Sequence, residues 1–122
     1  MPLRKILIVE DDQPILDLME ILLQKLGYQP VLITNGLEAL EYVRKDPPAL
    51  ILLDIMMSPI SGWDFLKRLR KEYNIWDIPV LLFTAAPDSA DRMAEFHDPH
   101  LGILQKPVSM DELKAALEKA IP

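Results

Sequence analysis

No cysteine occurs among the 122 residues, which excludes disulfide staples and thiolate metal sites and leaves the fold to packing alone. No stretch approaches the roughly 20 uninterrupted apolar residues that a bilayer-crossing helix needs. The opening MPLRKILIVED turns acidic too early for a secretory signal. These absences fit a cytoplasmic protein with no membrane contact. Positive charge is scarce as well: 13 Lys and Arg stand against 19 Asp and Glu, a formal net charge of −6. A nucleic-acid surface recruits clustered Lys and Arg, so direct nucleic-acid binding is not expected. The one basic run, KRLRK at 67–71, reads as the water-facing side of a helix. Neither a repeat, a low-complexity tract nor an interdomain linker is visible.

What remains is an apolar half of the chain, ample for the single core of one domain spanning 1–122. Short apolar runs occur at Ile6–Val9, Val31–Ile33, Leu50–Leu53, Val80–Phe83 and Gly102–Leu104. Such continuous runs, rich in branched residues, suit strands buried on both faces. Helix-period segments lie between them. Asp12 and Pro14 open the first, Ile15, Leu18, Leu22 and Leu26 give its stripe, and Gly27 stands where a stop belongs. Asn35 with Glu38, and Ser109 with Glu112, have capping-box spacing. The third helix is expected to begin near Ser61–Trp63. The fourth, in APDSADRMAEFHDPH, is expected to be short and to end near His97. Five βα units force parallel pairing with right-handed crossovers. The expected fold is α/β, a doubly wound (βα)5 five-stranded parallel sheet with helices on both faces, flavodoxin-like.

In such sheets functional groups gather beyond the carboxyl ends of the strands. The first strand runs into Glu10, Asp11 and Asp12; LILLD ends in Asp54, VLLFT in Thr84 and ILQKP in Lys106. Carboxylates crowded together raise one another's pKa. A hard divalent ion relieves this, and Mg²⁺ prefers carboxylate, carbonyl and water oxygens. The lysine and the ion would leave positive charge for an incoming phosphoryl group, which an aspartate accepts as a nucleophile. One such Asp alone is more often a turn former or cap; it is the convergence of acids, hydroxyl and lysine from four strand ends that points to a site.

At these residues the whole chain resembles the receiver domain of two-component response regulators. The resemblance implies that Asp54 is the phospho-acceptor, serving a sensor histidine kinase or phosphotransfer protein and an output partner still unknown. It implies that Asp11 binds Mg²⁺ directly, Glu10 through water, and Met56 through its backbone carbonyl. Thr84 matches the switch hydroxyl, Lys106 the phosphoryl-binding lysine, and the Lys106–Pro107 bond is implied to be cis. Asp12 falls outside the acidic pair and is expected to cap the helix. Such a domain is a switch, not an enzyme beyond assisting its own phosphorylation and dephosphorylation. Met56 and Ala86 stand where the family tunes hydrolysis, and their non-catalytic types imply a long-lived phosphoform. No output domain follows within the chain.

Several positions depart from the family pattern. Ser58 holds the place of a common proline, with Pro59 next, although Gly62 is retained. Ile103 replaces the aromatic three residues before the lysine, so the ring that normally couples phosphorylation to the output face is missing. FHDPHLG replaces a small glycine-containing turn. These changes keep alive an alternative, a receiver-like interaction module that is not phosphorylated. A haloacid-dehalogenase-type phosphatase would want Asp-x-Asp where this chain has Glu10-x-Asp12, with room for a cap. A flavin site would need more than four glycines in its phosphate loops. His97 and His100 read as surface residues distal to the acids. Trp63 reads as packing, and Trp76 equally as packing or as a partner anchor.

Overall fold

The computed structural model describes residues 3–85, 89–106 and 108–121. Five strands, β1 (Lys5–Val9), β2 (Gln29–Ile33), β3 (Leu50–Asp54), β4 (Val80–Thr84) and β5 (Leu101–Gln105), form one sheet. Their order is β2-β1-β3-β4-β5, and every pairing is parallel. Each strand runs slightly beyond the apolar stretch that marks it, because ladder bonds do not depend on side-chain polarity. The helices are α1 (Gln13–Lys25), α2 (Gly36–Lys45), α3 (Gly62–Lys67), α4 (Ser89–Ala94) and α5 (Met110–Ala120).

Alternation along the strands divides the core in two. Ile6, Ile8, Leu50, Leu52, Leu81 and Phe83 face one side, where Leu16, Met19 and Leu23 of α1 and Leu113 and Leu117 of α5 cover them. Leu7, Val9, Ile51, Leu53, Val80 and Leu82 face the other, against α2 and α3. Each fully buried Leu or Ile contributes about 1.5–3 kcal/mol relative to exposure, so both faces need a helical layer.

Helix ends follow local chemistry. Asn35 Oδ1 accepts from the N–H of Leu37 at 2.8 Å and of Glu38 at 3.3 Å. Ser109 and Glu112 form a complete reciprocal capping box. Gly27, at φ 89°, ends α1 with Tyr28 N–H donating to the Leu23 carbonyl, a reversal that favours glycine. Asp12 occupies the N-cap position of α1 but makes no capping bond through its side chain. Its own N–H donates to Glu10 Oε1 at 3.3 Å, which ties the helix start to the acidic pair. Helix α4 stops at Ala94, three residues short of the expected end.

The expectation of a wholly wet KRLRK face is corrected. Helix α3 continues as a π-helical turn, Arg68–Glu72, with Tyr73 N–H donating to the Arg68 carbonyl. The widened turn carries Arg70 inward, where it is only 1% exposed. Its Nε lies 2.7 Å from Asp98 Oδ2 and its Nη1 donates to the Ile75 carbonyl at 2.9 Å. Asp98 is equally buried and accepts from the His100 N–H through its second oxygen. The Arg70 guanidinium also lies 5.9 Å from the centre of the half-exposed Trp76 ring. Trp63 is buried, stacked on Phe96 at 5.4 Å and 19° with Arg92 over its ring at 5.0 Å.

Candidate functional site

Parallel strands all end on the same edge, and alternation decides which layer each terminal side chain joins. Glu10 continues the parity of Ile6 and Ile8, Asp54 that of Leu50 and Leu52, and Lys106 that of Leu104; all belong to the α1/α5 face. Thr84 continues the parity of Val80 and Leu82 and belongs to the opposite face, with Ile103. Topology thus puts the three charges together and the hydroxyl beside them on the other side of the sheet plane.

Asp54 is central because β3 lies between β1 and β4. Lys106 Nζ donates to Glu10 Oε2 at 3.0 Å and to Asp54 Oδ1 at 3.4 Å. The Met56 N–H donates to the same Asp54 oxygen at 3.2 Å. Backbone bonding anchors the lysine, since its N–H donates to the Thr84 carbonyl at 2.9 Å. The loop after β3 is pulled tight by Gly62, whose N–H donates to the Ile55 carbonyl. A Cβ on Gly62 would stand 2.4 Å from the Asp54 carbonyl oxygen, so no larger residue fits there without moving the strand end. The Ser58–Pro59 peptide is cis.

Glu10, Asp54 and Thr84 are buried, whereas Asp11 is exposed. Burial pushes the Glu10 carboxyl up to about 7; the hydrogen bond from Lys106 opposes this, and the Asp54 carboxylate adds to it. Carboxylate oxygens of Glu10, Asp11 and Asp54 lie within 4.8 Å of one another. That spacing, three hard oxygen donors and a strained carboxyl match a small divalent cation such as Mg²⁺. An open depression of about 450 Å³ is lined by Glu10, Asp11, Asp54, Met56, Thr84 and Lys106 together. All six residues expected at the site therefore border one cavity, and Met56 stands at its mouth, 74% exposed.

His97 and His100 precede β5, at the opposite end of that strand from Lys106. Ala86 and the Lys106–Pro107 bond lie outside the described residues. One neighbour escaped sequence reasoning: the Phe83 ring, 4.9 Å beneath Lys106 Nζ. Its position in the apolar run before Thr84 gave no sign of that contact.

Residues 6–118 match the response regulator receiver domain family. The phosphate regulon transcriptional regulatory protein PhoB of Escherichia coli (strain K12) is 36% identical over 115 residues, covering 94% of this chain and 50% of PhoB. The chain spans about half the length of the curated relatives it matches. The N-terminal domain of a response regulator receiver protein from Methanoculleus marisnigri JR1 is similar in structure, with a TM-score of 0.78 and 36% identity over 95% of this chain and 94% of that one. So is the receiver domain of sensor histidine kinase PA1611 from Pseudomonas aeruginosa PAO1, solved with a magnesium ion in its active site cleft, at a TM-score of 0.84 and 26% identity over 95% of each chain.

Proposed function

The chain belongs to the response regulator receiver domain family, and from that premise we propose that Asp54 accepts a phosphoryl group from a sensor histidine kinase or phosphotransfer protein in a Mg²⁺-dependent step. Binding to an output partner then changes. The observation that carries this reading is Lys106 Nζ held between Glu10 and Asp54, 3.0 and 3.4 Å away.

Glu10, Asp11, Asp54 and the Met56 carbonyl would hold the ion. When bound, it supplies positive charge that neutralises the carboxylates and the developing charge on the phosphoryl oxygens. An Asp54 oxygen forms the new bond to phosphorus as the donor's P–N bond breaks, and the donor nitrogen leaves with the electron pair. Lys106 shifts its ammonium from the Asp54 carboxylate to a phosphoryl oxygen, exchanging one charge-assisted bond for another. Thr84 donates its hydroxyl to the phosphoryl group from the opposite face of the sheet, and in turning it disturbs the layer that holds Ile103. The chemistry of the acceptor is positioning and charge neutralisation, as expected of a signalling switch.

The second reading is a receiver-like interaction module that takes no phosphoryl group. Ile103 favours it, being half-buried in the same apolar cluster as Met93 and Phe96, where an aliphatic side chain has no ring to reorient. Intact mass after incubation with acetyl phosphate separates the two. The switch requires a single Mg²⁺-dependent phosphoryl adduct that Asp54→Asn abolishes. A folded, Mg²⁺-binding protein that gains no adduct is the interaction module.

A further inference from the structure

Lys106 leaves β5, yet its ammonium reaches Asp54 on β3 and Glu10 on β1. Neighbouring strands lie about 4.8 Å apart, so the side chain must cross the whole width of β4. The β4 residue beneath that crossing is fixed by register. Asp54 pairs with Phe83, and Phe83 pairs with Leu104. Paired residues in a parallel ladder leave the sheet on the same face, and Lys106 shares that face with Leu104. Phe83 is therefore the floor that the lysine traverses.

The contact has the geometry of attraction. Nζ stands 4.9 Å from the centre of the Phe83 ring, inside the roughly 6 Å over which an ammonium is drawn to an aromatic face. The ring is 3% exposed and packed among residues of the α1/α5 layer, so it cannot turn away. An aliphatic side chain would fill the same space without a negative face, leaving the two carboxylates alone to hold the ammonium.

We infer that Phe83 is a positioning residue, its ring holding the Lys106 ammonium on the line from β5 to Asp54 where a phosphoryl group arrives. This rests on the function proposed above, and Phe83 acts only through Lys106. The experiment places monofluoro-, difluoro- and pentafluorophenylalanine at position 83 of the full chain, which keeps ring size while draining the charge of its face. Initial rates of labelling by acetyl phosphate at saturating Mg²⁺ are read by intact mass, beside thermal midpoints. Lys106 ε-methylene NMR shifts are recorded for the unaltered protein and Phe83→Leu.

The rate is expected to fall stepwise, about two- to fivefold across the series, with thermal midpoints unchanged. The ε-protons should be shifted upfield by the ring and return to ordinary lysine values in Phe83→Leu. A flat rate series in a protein that labels normally overturns the role of Phe83 alone. Rates that fall only together with the thermal midpoint reduce the ring to packing and also overturn it. Failure of the unaltered protein to label overturns the proposed function, and this role with it.

Discussion

Glu10 is the residue at which the site works against the fold. Below about pH 4.5 its carboxyl is protonated in folded and unfolded chains alike. Between 4.5 and about 7 the unfolded chain releases the proton while the folded one retains it, so stability falls as pH rises through that window. In metal-free protein, Glu10→Gln should match the unaltered chain at pH 4.5 and exceed it above pH 7, by at most about 3 kcal/mol. Urea midpoints of both proteins at the two pH values check this; Mg²⁺ should narrow the gap by stabilising the unaltered chain more than the variant, which keeps Asp11 and Asp54. An equal gap at both pH values would mean that burial of Glu10 costs nothing. The charged members of the site were legible in the sequence because Glu10 and Asp54 end apolar runs at strand ends and Lys106 follows one closely. Phe83 and Arg70 were not, since each looks like its neighbours. Only the register of β4 and the π-helical turn give them distinct surroundings.

Among the elements, strands were the easiest to read, because burial on both faces leaves an unbroken apolar run. Helix boundaries depended on side chains that choose between local and distant partners. Ser109 and Glu112 bond to each other across one turn and were readable; Asp12 holds the N-cap position of α1 without a side-chain bond, and its N–H turns to the Glu10 carboxylate. Helix α4 stops early, and the segment after it is held by Phe96 stacking on Trp63. Trp63 directly follows Gly62, whose close packing fixes the end of β3. This ring pair thus links the Asp54 loop to the α4 segment beside Ile103. A double-mutant cycle of Trp63→Leu and Phe96→Leu should give a coupling energy of about 0.5–1.5 kcal/mol, measured by urea unfolding. Additive effects would show that the two rings pack independently.

At the scale of the whole molecule, doubly wound topology gathers four strand ends at the site, and the opposite half of the fold is secured separately. The buried Arg70–Asp98 pair ties the turn after α3 to the loop before β5, two segments 28 residues apart. Removing one partner strands the other as a buried charge, so Arg70→Met should cost about 3–5 kcal/mol. Adding Asp98→Leu should restore most of that, because an apolar pair of similar bulk needs no desolvation. Equilibrium urea unfolding of the single and double variants decides it; a double variant no better than Arg70→Met would mean that Asp98 stays solvated without its partner. The pair also constrains substitution. A chain that exchanged either residue singly would lose stability that a matched exchange at the other returns, so substitutions at positions 70 and 98 are expected to be coupled. The two side chains thus act as a single clasp, to be exchanged together or kept together.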